Sequence, residues 1–159
     1  MEKIVIIGNS ASGKSTLAQR LARTEALAHL DLDTLAWKPD LPPERRSLED
    51  SRQDITVFLE DHSDWVIEGC YADLVELVLA DASELIFLDL PIETCIENAK
   101  RRPWEPHKYE SKAAQDENLA MLLDWISQYG ERSDTFSRAA HQKIYESYPG
   151  QKVRITSNQ

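Results

Sequence analysis

Eight residues near the start of the chain, Gly8-Asn9-Ser10-Ala11-Ser12-Gly13-Lys14-Ser15, restrict its fold more than anything that follows. They fit G-x-x-x-x-G-K-[ST], a pattern that requires a strand before it and a helix after it. Both flanks are present. Lys3-Ile4-Val5-Ile6-Ile7 is a β-branched run whose unbroken apolar character suits a strand covered on both faces, as in a parallel sheet. Residues 14–23 set Leu17, Ala18, Leu21 and Ala22 on one helical stripe. Between strand and helix, glycines let the backbone turn tightly, so that successive N–H groups face an anion at the helix N-terminus. Lys14 has the reach for the β- and γ-phosphates of ATP, and the Ser15 hydroxyl suits Mg²⁺. Gly8, Asn9, Ser10, Ala11, Ser12, Gly13, Lys14, Ser15 and Thr16 therefore read as a cradle for ATP and Mg²⁺.

The rest of the chain alternates strand and helix. Strands are expected at 28–30, 65–68, 84–89 and 152–156, and helices at about 47–61, 74–79, 91–102, 112–128 and 134–148. Ser47 with Asp50 resembles a capping box, and Pro91 suits a first helical position. A loop with Pro39, Pro42 and Pro43 follows the second strand, and Pro103-Trp104-Glu105-Pro106 must break the helix before it. Such alternation predicts one α/β domain with a parallel sheet and right-handed crossovers. Cys70 and Cys95 lack metal-ligand spacing and read as buried thiols, and the four histidines show no shared cluster.

A phosphate loop needs a carboxylate at a neighbouring strand end to hold the cation. Asp31 and Asp33, Glu68, and Asp89 all follow strands and should open on the sheet edge where α/β proteins bind ligands. Glu68 or Asp31 is expected near the metal and Asp33 at the phosphoryl acceptor. Gly69 would let the acceptor approach the backbone, and Asp89 also reads as a cap before the next helix. Phosphoryl transfer further needs positive charge. Arg101, Arg102 and Arg132 frame a Pro/Trp/His/Lys stretch that would make a mobile, water-excluding lid. Arg45, Arg46 and Arg52 are candidates to grip an acidic acceptor.

The blocks around GNSASGKSTLA, Leu32 to Pro39, Trp65 to Tyr71 and Leu88 to Pro91 resemble the adenylate-kinase-like proteins often labelled DNA topology modulation protein. That resemblance implies the fold of the nucleoside-monophosphate and shikimate kinases: three α/β/α layers around a five-stranded parallel sheet. It also implies an acceptor-binding insert at about 33–62, a lid at about 102–116, and a loop near 156–158 bordering the adenine. Asp31-Leu32-Asp33 is similar to the Asp-x-Asp of shikimate kinases. Glu68-Gly69-Cys70-Tyr71 stands where adenylate kinases carry Asp-Gly-Phe-Pro-Arg, without the arginine.

Charge sharpens the expected class. With 18 basic against 28 acidic groups the net charge is −10, which argues against a duplex-binding surface. Residues 1–99 hold 8 basic and 20 acidic groups, net −12, whereas residues 100–159 hold 10 and 8, net +2. No apolar run approaches the roughly 20 residues of a membrane span, and Ile4 to Ile7 is too short for a signal peptide, so a cytoplasmic location is expected. The sequence thus points to an ATP-dependent kinase with a small-molecule hydroxyl acceptor. A nucleoside-monophosphate kinase and a slowly hydrolysing ATP-binding regulator are the alternatives. Neither the acceptor nor the oligomeric state is written in the sequence.

Overall fold

The computed structural model describes residues 1–39 and 43–158, so Pro42 of the proline loop lies outside the described residues. Five short strands, β1 (Lys3–Gly8), β2 (Ala28–Asp31), β3 (Trp65–Gly69), β4 (Glu84–Leu88) and β5 (Gln151–Ile155), pair in parallel in the order β2-β3-β1-β4-β5. The central strands are apolar at most positions because both faces are covered. Val5 and Ile7 of β1 join Trp65, Ile67, Leu85 and Phe87 on one face. Ile4 and Ile6 join Val66, Ile86 and Leu88 on the other.

Among the described residues, seven α-helices supply the covering layers. Leu17 and Ala18 of α1 (Lys14–Glu25), Cys95 and Ala99 of α5 (Ile92–Arg101) and Ile126 of α6 (Lys112–Ser127) pack on the Ile4/Ile6 face. On the opposite face lie α2 (Asp33–Ala36), α3 (Leu48–Asp61), α4 (Ala72–Val75) and α7 (Arg138–Ser147), through Leu35, Ile55, Leu74 and Ile144. The result is a three-layer α/β/α fold around a five-stranded parallel sheet. Among the described residues no helix is long and apolar enough to cross a membrane.

Several local expectations shift. Asp33–Ala36 is a helix the periodicity did not predict: Asp31 accepts from the Asp33 N–H at 2.9 Å and its carbonyl from Thr34 Oγ1 at 2.7 Å, turning the chain at the strand end. The expected 74–79 helix is instead α4 followed by a 3₁₀ turn at Leu79–Asp81. Helix α7 starts at Arg138, not near 134, because Asp134 closes a turn onto Phe136 N and Ser137 N. Ser137 then caps α7 through Ala140 N at 3.0 Å. Pro91 is the N-cap of α5 rather than its first residue. Ser47 does cap α3, accepting from Asp50 N at 3.1 Å. Asp89 does not cap α5: Arg138 and Arg154 take its carboxylate. Cys95 is buried as expected and Cys70 only partly so; both are free thiols.

Candidate active site

The phosphate loop leaves β1 at the carboxyl edge of the sheet. Gly8 is required by crowding, since a Cβ there would lie 2.8 Å from the Leu88 carbonyl oxygen. Gly13 is required by conformation, with φ +93° at the N-cap of α1 and open space where a side chain would stand. Ala11 holds φ 61°, sterically costly for a residue with a Cβ, and its carbonyl accepts from Asn98 Nδ2 at 2.9 Å. Asn9 anchors the loop from below, donating to the Ile126 carbonyl at 3.3 Å and accepting from Ser10 N at 2.8 Å. Lys14 curls over it, its Nζ donating to Asn9 O at 2.6 Å. The Ser12 hydroxyl is buried beneath the loop without a hydrogen-bond partner.

Next to this cradle stand two acids brought together by strand register. Asp31 ends β2 directly opposite Glu68 of β3. Glu68 is buried; its Oε2 accepts from Ser15 Oγ at 2.7 Å and lies 2.9 Å from His29 Nε2. Burial, together with the Glu68 and Asp33 carboxylates, pushes the Asp31 pKa up to about 6. Excess negative charge is therefore built into this corner.

A cavity of about 810 Å³ opens over Lys14, Ser15, Asp31 and Glu68 and extends to Asp33, Gly69 and Tyr71. Asp33 accepts a short hydrogen bond from the Tyr71 hydroxyl, which in turn accepts from Trp37 Nε1 at 2.8 Å. Lys108, from the segment between α5 and α6, reaches Asp33 Oδ2 at 3.4 Å and Glu105 at 3.5 Å. Burial alone would lower the Lys108 pKa, but the Asp33 and Glu105 charges outweigh it and raise the value. A second cavity, about 410 Å³, lies across the phosphate loop against Ala11, Gly13, Thr16, Asn98, Arg101, Ser157 and Asn158. Arg102 and Pro103 border both cavities.

The arginines divide. Arg102 stands between the cavities, while Arg101 borders the smaller one with a largely exposed side chain near Glu97. Arg132, expected at the transferring group, instead lies 3.4 Å from the Trp125 ring centroid and grips Asp134, outside both cavity linings. Arg45 pairs with Asp73 at 3.1 Å above the Tyr71 ring. Arg46 ties α2 to α3 through the Leu35 carbonyl and Asp54, and Arg52 sits exposed beside Glu49. Neither Arg45, Arg46 nor Arg52 lines either cavity; a nearer carboxylate holds each one away.

Sequence reasoning missed His29, Trp37, Tyr71, Lys108, Trp125 and Phe136 as site residues. His29 had a readable signal, since it lies two residues before Asp31 and so on the same face of β2. Lys108 lay within the expected lid, but its contact with Asp33 and the meeting of the four aromatic rings were not readable, because parts of the chain far apart in sequence deliver them.

Comparison with known proteins agrees with this architecture. No curated protein matches the chain by sequence. A shikimate kinase from Bacteroides thetaiotaomicron aligns structurally at 15% identity and TM-score 0.47, over 91% of this chain and 97% of that one. A sugar kinase from a Janibacter species aligns at 14% identity and TM-score 0.53, over 98% of this chain and 85% of that one. The latter likeness is of fold, and the fold is that of the P-loop kinases. A family profile described as AAA domain matches residues 4–119, nearly three quarters of the 159. With its phosphate loop, parallel sheet and strand-end acids in one crevice, the chain belongs to the AAA domain family and has a P-loop kinase-like fold.

Proposed function

We propose that the protein is an ATP-dependent phosphotransferase that moves the γ-phosphoryl group of ATP to the hydroxyl of a small molecule. The observation that carries this reading is the single cavity shared by the phosphate-loop residues Lys14 and Ser15, the acids Asp31 and Glu68, and Asp33 beside Asp31. A protein that only held nucleotide would have no use for a carboxylate fixed by Tyr71 in the same cavity as the phosphate loop.

The residues present fit a nucleotide with Mg²⁺. Gly13 leaves open space at the helix N-terminus, and Ser15, Glu68 and Asp31 offer hard oxygen donors of the kind Mg²⁺ selects. When bound, the cation offsets charge on the β- and γ-phosphoryl oxygens. Backbone N–H groups of residues 9–15 would surround those oxygens, and Lys14 would release the Asn9 carbonyl to meet them. Asp33 would orient the acceptor hydroxyl and accept its proton. Tyr71 keeps that carboxylate aimed by donating to its other oxygen. Arg102, and Arg101 from the smaller cavity, would offset charge at the transferred group.

Replacing Lys14 with Ala is expected to reduce acceptor-stimulated ADP release at least a hundredfold with the circular dichroism spectrum unchanged. Turnover at the wild-type rate would remove Lys14 from the chemistry, and ATP binding without stimulation by any acceptor would favour a regulator.

A further inference from the structure

The far half of the larger cavity has an unusual lining. Trp37, Tyr71, Phe136 and Trp125 follow one another edge to face, with centroid separations of 6.4, 5.3 and 5.2 Å, and all four border the space that contains Asp33. They come from three distant parts of the chain, so the fold gathers them here. Two guanidinium groups back the rings: Arg45 lies 5.0 Å from the Tyr71 centroid and Arg132 3.4 Å from that of Trp125. Each is paired with its own carboxylate, Asp73 or Asp134, and neither lines the cavity. The cations fix the rings in place and are themselves engaged.

Two polar groups of this wall, on Trp37 and Tyr71, are engaged as well. The Trp37 N–H goes to the Tyr71 hydroxyl, and the Tyr71 O–H goes to Asp33. What the wall offers an incoming molecule is mainly ring surface, bordered by Asp33, whose second oxygen has Lys108 Nζ beside it at 3.4 Å. A polyol would leave several hydroxyl groups without partners against such a surface, at a cost for each. A phosphate monoester would need free cations turned inward; Arg45 and Arg132 are held outward, and Lys108 and Arg102, which do line the cavity, are paired with Asp33 and Glu105. A flat ring would stack or pack edge-on against the aromatic row while a hydroxyl on it, or on a short arm, reached Asp33. Because the row is rigid before binding, little ordering cost attends its occupation.

We infer that the phosphoryl acceptor is an uncharged planar-ring alcohol, such as a nucleoside or a hydroxymethyl heteroaromatic compound, held by the Trp37–Tyr71–Phe136–Trp125 row. This rests on the phosphotransferase reading, and the test separates the two. Calorimetric titration of the full chain, loaded with Mg²⁺ and a non-hydrolysable ATP analogue, would measure binding of adenosine, cytidine, thymidine, pyridoxine, glucose, gluconate and AMP. Coupled ADP release with ATP would measure turnover on the same panel. The expected result is binding and turnover with at least one of the four ring alcohols. Trp125→Leu should then weaken that compound at least tenfold, and Trp125→Tyr should restore most of the loss, with ATP affinity within twofold in both. Ring alcohols that bind but are not phosphorylated would keep the aromatic site and overturn phosphotransfer. Turnover of glucose, gluconate or AMP in preference to every ring alcohol would keep phosphotransfer and overturn the aromatic site. Failure of all four ring alcohols to bind, or an acceptor affinity untouched by Trp125→Leu, would also overturn it.

Discussion

His141 shows how much one buried side chain can carry. It is fully enclosed on α7, with Nδ1 2.8 Å from the Tyr129 hydroxyl and Nε2 2.8 Å from the Cys70 carbonyl. It thereby links α6 and α7 to the turn that presents Tyr71 to Asp33. Burial lowers its pKa to about 4 from an ordinary 6.5. Since the unfolded chain binds the proton more readily, stability is full above about pH 6.5 and falls as pH drops towards 4. The loss attributable to this imidazole is about 3 kcal/mol. Denaturant unfolding of wild type and His141→Phe between pH 4 and 7 should show a markedly shallower slope in the variant. Parallel slopes would assign the acid sensitivity elsewhere. At this scale the sequence was informative wherever a residue's role is local. Gly8, Gly13, Lys14 and Ser15 are legible because loop, strand and helix are contiguous. The arginine roles were not, because Asp73, Asp54, Glu49 and Asp134 decide where those guanidinium groups go, and that competition is settled by tertiary proximity.

Among the elements, the carboxyl end of β4 is the main joint of the molecule. Asp89 receives two hydrogen bonds from Arg138 at the start of α7, at 2.8 and 2.7 Å, and two from Arg154 of β5. Burial alone would raise its pKa, but these bonds outweigh it and hold the carboxyl below the ordinary range. The two arginines are about two-fifths exposed, so water tempers the interaction. Asp89→Asn is expected to lower stability by about 1–2 kcal/mol, read from the unfolding midpoint at pH 7, and to reduce the loss seen on acidification. The long amphipathic helices and the apolar strands were legible from periodicity alone. Helix α2, four residues long, was not: a single turn has too few positions for a period, and burial of Leu35 holds it; the helix expected at 74–79 is displaced to α4, held by burial of Leu74 and Val75.

For the molecule as a whole, charge is distributed by function rather than averaged. The net −12 of residues 1–99 includes Asp31, Asp33 and Glu68 at the larger cavity, while the net +2 of residues 100–159 includes Arg102 and Lys108 on the same cavity and Arg101 on the smaller one. Fold class and crevice position were legible at this scale, because alternating strands and helices admit few topologies. The shape of the aromatic wall was not, since its rings come from parts of the chain far apart in sequence. The strip at Arg102 and Pro103, common to both cavities, has a thermodynamic consequence. Two ligands that press on the same stretch of backbone cannot bind independently, and the closed cycle of four states makes their influence mutual. Whatever factor a bound ATP analogue applies to the acceptor's dissociation constant, the acceptor must apply to the analogue's. Paired titrations in either order should return the same factor, greater than one in favour of the ternary complex, and Arg102→Ala should bring it towards unity.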